Sequence, residues 1–113
     1  MAEGQGLPPS QEGGGGPLGV PISAQVDPAG QVTINGIVYN KFTVNLSSTN
    51  GQAQTVGISV PAGCSVNPTP VSINPPYAGT CTVFIPATNN SSVSATATET
   101  GYANKVIPVQ GSA

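Results

Sequence analysis

The sequence predicts an all-β fold, an antiparallel β-sandwich of seven or eight short strands that follows an extended Gly/Pro-rich N-terminal arm. Apolar and polar residues alternate in several short runs, which is the period of a half-buried strand. Turn-forming residues separate these runs at regular intervals, as in sandwiches and barrels. No stretch has the periodicity of a helix, and 113 residues suffice for one domain.

The first strands are predicted between residues 18 and 47. Residues 18–26 alternate, and a turn is predicted over residues 27–30 (DPAG), because its composition is that of a β-turn. Asn35-Gly36 is the strongest short-range signal for a two-residue hairpin. The strand that follows has one apolar face, which consists of Phe42, Val44 and Leu46.

The remaining strands are shorter. Alternation over residues 56–60 predicts the next one, and a brief extended piece is expected over residues 71–73. Residues 81–85 place Cys81 on an inward face, and residues 93–98 alternate between inward valine or alanine and outward serine or threonine. A last strand over residues 106–109 closes the sheet.

The two cysteines, Cys64 and Cys81, enclose a segment rich in proline. Its prolines exclude a helix, so the pair is predicted to bracket a short strand and its turns. We predict a disulfide between them, closing a loop of about 18 residues that contributes roughly 3 kcal/mol of stability. The bond places the protein outside the reducing cytosol, or in a particle that leaves it. The alternative is two buried free thiols packed as small hydrophobic groups.

Residues 1–17 are predicted to be an extended arm, and residues 18–113 the folded domain. Apart from Leu7, the arm has little to bury, so it has no basis for folding alone. It also lacks the basic and apolar regions of a secretory signal. We expect it to contact neighbouring subunits through the residues Leu7, Pro8, Pro9, Gly13, Gly14, Gly15, Gly16 and Pro17.

Charged residues make up only 5% of the chain, against about 25% in an ordinary domain. With a net charge of −2, the chain has little self-repulsion, which favours self-association or binding to other protein subunits. Two lysines and no arginine cannot neutralise a phosphate backbone, so no nucleic-acid partner is expected. No apolar run approaches the ~18 residues of a membrane span.

The strand Phe42–Leu46 and the closing segment Val93–Val109 resemble those of bacterial immunoglobulin-like domains. In such modules an alternating Ala/Thr strand leads to a Gly-Tyr turn, here Gly101-Tyr102. The resemblance covers about residues 20–110 and implies an immunoglobulin-like sandwich. The cysteines depart from the inter-sheet pair of antibody domains, because no tryptophan lies between them and their interval is short.

The sequence predicts no enzyme, no cofactor and no metal site. Without histidine, neither a Ser-His-Asp nor a Cys-His arrangement exists. Asp27 and Glu99 form an acid pair only if the fold joins them; otherwise they are a turn aspartate and a solvated strand-end glutamate. Residues 13–16 are interpreted as a linker, since no lysine or helix accompanies them as in a phosphate cradle.

Modules of the family that the chain resembles occur on tailed-phage particles, in pilus-like filaments and in surface adhesins. The favoured hypothesis is a virion structural protein, a decoration or cementing subunit on a phage or virus capsid surface. The alternative is a secreted filament or adhesin subunit at the cell surface, in which residues 18–26 add to the sheet edge of the next subunit. A third, a glycan-binding module, depends only on the sandwich and on an aromatic platform of Tyr39, Tyr77 and Tyr102.

Overall fold

A computed structural model describes residues 18–111, so the predicted arm over residues 1–17 lies outside the described residues. The described chain is all-β, which confirms the predicted fold class. Its eight strands are β1 (Ile22–Ile34), β2 (Ile37–Ser48), β3 (Gln54–Ser59), β4 (Ser65–Asn67), β5 (Val71–Ile73), β6 (Ala78–Pro86), β7 (Val93–Thr98) and β8 (Lys105–Gln110).

The strands form two antiparallel sheets of four strands each. Sheet I has the order β1-β2-β6-β4, and sheet II the order β5-β3-β7-β8. This is the strand order A-B-E-D and C-F-G of the constant-type immunoglobulin sandwich, with β5 added beside the third strand. The predicted immunoglobulin-like sandwich is therefore confirmed at the level of topology.

The core lies between the sheets and consists of the inward residues of each alternating strand. The predicted inward faces of β2, β3, β6 and β7 are all confirmed. The largest fully buried side chains are Leu46, Ile73, Ile85, Val44, Val56, Val83 and Cys81. Gly79 of β6 keeps the sheets close, because a Cβ there would lie 2.7 Å from Cγ1 of Val71 in the opposite sheet.

The β1–β2 hairpin forms at the predicted position. Asn35 (φ 51°) and Gly36 (φ 80°) both have positive φ, as a type I′ turn requires. The predicted turn over residues 27–30 is wrong, because β1 continues through it as a β-bulge between Pro28 and Gln31. Gly30, with φ 84°, provides the backbone conformation that such an irregularity uses.

The hairpin extends beyond the sandwich. β2 pairs with β6 from Ser47↔Ala78 only as far as Tyr39↔Pro86, so the tip is a two-stranded ribbon. The described chain measures 55 × 33 × 20 Å with a radius of gyration of 15.9 Å. A compact domain of this size has about 12–13 Å, so the ribbon makes the molecule elongated.

The N-terminal end of the described chain lies at the opposite end of the molecule. The Val20 amide donates to the Ala103 carbonyl oxygen (3.1 Å), and the Ala103 amide donates to that of Leu18 (2.8 Å). After Pro21 the chain enters β1 of sheet I, where Ile22 pairs with Ser48. Residue 18 and the hairpin tip therefore lie at opposite ends of β1.

An apolar hairpin end as the candidate interaction surface

An exposed apolar region lies on the outer face of sheet I at the projecting hairpin. Val32 pairs with Tyr39, which in turn pairs with Pro86, and Ile34 pairs with Ile37. Directly paired residues of antiparallel strands share a face, so these side chains form one surface. We call it the hairpin-end surface and define it as Val32, Ile34, Ile37, Tyr39, Phe84 and Pro86.

Its outermost members remain largely in solvent. Ile34 is 44% exposed and Ile37 is 50% exposed. Behind them, the Tyr39 and Phe84 rings pack edge to face, with centroids 6.5 Å apart and planes at 88°. This geometry is favourable for an aromatic pair and fixes both rings. The surface therefore combines exposed aliphatic groups with a supported aromatic base.

A groove runs along one side of this surface. Its volume is about 630 Å³, and it lies between the turn residues 36–39 and residues 86–88, with Gly63 beside them. The Ala87 amide donates to the Val38 carbonyl oxygen over 2.9 Å and links the two walls. The walls are mainly apolar, so the groove fits an apolar segment better than an ion or a polar metabolite.

The rest of the outer face of sheet I is polar. The hydroxyl of Thr80 donates to Oδ1 of Asn45 (3.1 Å), and Nε2 of Gln25 donates to Asp27 (3.4 Å). Lys41 is the one charged residue that adjoins the hairpin-end surface among residues 18–111, as the cross-strand partner of Phe84. Apolar and aromatic character with little charge is the composition of an interface core.

The two cysteines are free thiols in this structure, so the predicted Cys64–Cys81 disulfide is corrected. Ser65 pairs with Phe84, and continuing this register places Cys64 opposite Ile85. Cys81 lies four residues further along β6, about 13 Å away at roughly 3.3 Å per residue. A disulfide requires Cα atoms within about 7 Å. The alternative of free thiols holds, but only one of them is buried: Cys81 lies in the core, whereas Cys64 is partly buried and packs against the core cluster.

The other sequence-predicted groups do not assemble into a site. Asp27 is exposed on the outer face of sheet I, whereas Glu99 follows β7 in sheet II, so they form no acid pair. Tyr39 lies at the hairpin end, whereas Tyr77, linked to Ser48, and Tyr102 lie at the opposite end. The predicted aromatic platform is therefore not formed. The assembly-arm residues lie outside the described chain.

The chain over residues 18–111 holds no group of three or more His, Cys, Asp or Glu side chains placed to bind a metal. It has no helix long and apolar enough to cross a membrane.

Comparison of the chain with protein-family models, with curated proteins and with solved structures yields no match. Function is therefore inferred from the residues and the geometry described above. Sequence reasoning treated Ile34 and Ile37 only as strand residues beside the hairpin turn. Two large aliphatic residues flanking an Asn-Gly turn were the signal that an exposed apolar tip was present.

Proposed function

We propose that this protein is a non-enzymatic structural subunit of a larger assembly, a decoration or cementing protein on the surface of a phage or virus capsid. The observation that carries the proposal is the hairpin-end surface, where two half-exposed isoleucines adjoin a supported aromatic pair. Exposed contiguous apolar surface on a small domain marks an interaction site. Association with another protein surface removes it from water.

The composition supports the same conclusion. The chain has no histidine and only six charged residues, two of them in residues 1–17. Such a chain has few groups for acid–base chemistry and little charge repulsion against a neighbouring copy. Apart from Asp27 and Lys41, the remaining outer face of sheet I carries uncharged polar side chains, such as the hydrogen-bonded Thr80 and Asn45.

The positions of the two ends explain how such a subunit would link neighbours. The hairpin-end surface lies at one end of β1, and residue 18, to which the predicted arm connects, lies at the other. A subunit that makes different contacts at its two ends joins two neighbours by heterologous contacts. The arm and the hairpin would then contact separate partners on the particle.

The alternative is a filament or adhesin subunit at the cell surface. One observation favours it: β1 is a 13-residue edge strand with one side unpaired, which suits strand addition. The predicted donor segment is, however, already used, since residues 22–26 pair with β2 and Val20 and Ile22 are buried. A donor strand would have to come from another segment, and Pro28 with its bulge interrupts the acceptor edge.

The experiment replaces the exposed isoleucines together, Ile34→Thr with Ile37→Thr, because threonine retains β-branching and suits the ribbon. The matched control is Val106→Thr, at another apolar position, 62% exposed, in sheet II. Sedimentation of the full chain over a concentration series measures self-association, and co-sedimentation with undecorated capsids measures attachment.

We expect the double variant to weaken one of these associations at least tenfold, which corresponds to about 1.4 kcal/mol. Its melting temperature should stay within a few degrees of the unsubstituted chain, and the control should associate normally. If the unsubstituted chain, the double variant and the control associate equally in both assays, the hairpin-end surface is not the interaction site. Loss of association in the control as well would show a general surface effect.

A further inference from the structure

The groove beside the hairpin-end surface has an aromatic and apolar wall. Its volume of about 630 Å³ lies within the ~300–1,000 Å³ of ordinary ligand sites. Ile37, Tyr39 and Pro86 line it and face outward on sheet I, because Tyr39 pairs with Pro86 and lies two residues from Ile37. The Tyr39 ring also packs edge to face against Phe84, which holds it in place. Proline-rich peptides dock on walls of this kind.

The chain itself contains a segment whose chemistry matches this wall. Leu7-Pro8-Pro9 combines the one large aliphatic residue of residues 2–17 with two consecutive prolines. Proline has its φ fixed before binding, so a Pro-Pro segment loses little conformational entropy when it docks. Such segments bind aromatic-lined grooves through their rings, together with a neighbouring apolar side chain. Leu7-Pro8-Pro9 is therefore the occupant that the composition of the groove favours.

Charge favours the same pairing. Residues 1–17 contain Glu3 and Glu12 and neither lysine nor arginine. The charged side chain that adjoins the hairpin-end surface is a cation, Lys41, which is the cross-strand partner of Phe84. An exposed ion pair contributes little affinity, so these charges orient the arm and the apolar contact provides most of the binding.

The length of the arm directs it to another copy of the chain. Leu7 is eleven residues from residue 18, a reach of at most about 36–40 Å in a fully extended chain. Ile22 pairs with Ser48, and the eleven residues of β2 from Ser48 to Ile37 at the groove cover about 36 Å. Docking within one chain would therefore need a nearly fully extended arm, whereas a glycine-rich linker of this length has a root-mean-square span of about 17–20 Å. A copy placed end to end with the first can bring its groove within that span.

We propose that the groove binds the Leu7-Pro8-Pro9 segment of a second copy of this chain. This assignment rests on the proposed function, because it names a partner for the same hairpin-end surface. Each copy offers its groove at one end of β1 and its arm at the other, so the contact is heterologous and runs head to tail. Contacts of this type close into a ring or continue along a row of subunits. A decorating protein linked in this way joins its neighbours on the shell.

Two single variants of the full chain test this proposal by complementation. Leu7→Ser removes the aliphatic group of the arm and leaves the groove intact, whereas Ile37→Thr alters the groove and leaves the arm intact. In sedimentation over a concentration series, we expect each variant alone to self-associate at least tenfold more weakly than the unsubstituted chain. An equimolar mixture should form a one-to-one complex that grows no further, because the intact arm and the intact groove then belong to different molecules. The control Gln11→Ser, at a polar position of the arm, should associate as the unsubstituted chain does.

If either variant self-associates as the unsubstituted chain does, or if their mixture forms no complex, the proposal is overturned. A chain that is monomeric at every concentration overturns it as well. The proposed function can still hold in these cases, because co-sedimentation of the isoleucine double variant with capsids tests it separately. Should Ile37→Thr fail to fold, a peptide of residues 1–17 should dissociate the unsubstituted chain into monomers, whereas the same peptide with Leu7→Ser should not. Equal effects of the two peptides would reject the proposal.

Discussion

Reduction by dithiothreitol should leave the thermal unfolding of this protein unchanged. The register of β4 with β6 separates the two cysteines by about 13 Å along the sheet. A disulfide around the intervening loop would contribute about 3 kcal/mol. In a domain of this size that amount corresponds to roughly 12–24 °C in melting temperature. The melting temperatures expected with and without the disulfide therefore differ by much more than the error of a melting curve.

Thiol counting provides the matching assay. The unreduced protein in denaturant should show two free thiols with a colorimetric thiol reagent. In the native state Cys64, which is partly exposed, should react slowly, because burial raises its pKa and lowers its thiolate fraction. Cys81, only 1% exposed, should react only when the sandwich opens. Cys64→Ser should remove the faster phase and leave the slower one.

An absence of free thiols would contradict this separation of the two cysteines. If unreduced, denatured protein contains no free thiol and is monomeric, the cysteines are bonded within one chain. A fall of 10 °C or more in melting temperature on reduction would support the same conclusion. The pairing of β4 with β6 would then have to shift by four residues to bring Cys64 opposite Cys81.

Three further outcomes are expected. Gly79→Ala should lower the free energy of unfolding by about 1–3 kcal/mol in urea titration, because the added Cβ would lie 2.7 Å from a valine methyl group. The control is Gly19→Ala, whose Cβ would lie 3.9 Å from its nearest neighbour and should cause no such loss. Equal losses in the two variants would contradict the close packing at Gly79. Because burial raises the pKa of the Glu99 carboxyl group, the folded state binds its proton more tightly, so the free energy of unfolding should fall as the pH rises above about 4.5. Glu99→Gln should lessen that fall in melting curves at pH 4–7, whereas Asp27→Asn should not; an unaltered pH profile would argue against a buried carboxyl group. Deleting residues 1–17 should leave the melting temperature unchanged but weaken attachment to the capsid, and full attachment of the truncated chain would exclude the arm as a contact.

The strands that the sequence predicts best are those with one buried face. Along β7, Val93, Ala95 and Ala97 are buried in alternation with less buried residues, as the period of two indicates. The β1–β2 hairpin is equally local, because Asn35-Gly36 needs only its own positive φ values to form the turn. Such features depend on neighbouring residues alone, so the sequence displays them directly.

In the region between the cysteines, local sequence patterns do not determine which sheet each short strand joins. The chain there contains two strands of three residues, β4 in sheet I and β5 in sheet II. Only β5 was predicted, and nothing in its sequence states which sheet it joins. β5 joins sheet II by pairing with β3, and β4 joins sheet I by pairing with β6; both partners lie outside these short strands. The incorrect disulfide followed from treating this segment as one strand.

The missed interaction surface has the same origin as the missed bulge. The composition of residues 27–30 suits a turn or a bulge equally, and pairing with β2 decides between them. In the bulge, two residues of β1 lie opposite Lys41 alone, so every later residue of β1 changes face. Without that shift, Val32 and Ile34 would share a face with Val26; with it, they join Tyr39 and Ile37. One inserted residue therefore creates the continuous apolar surface on which the proposed function depends.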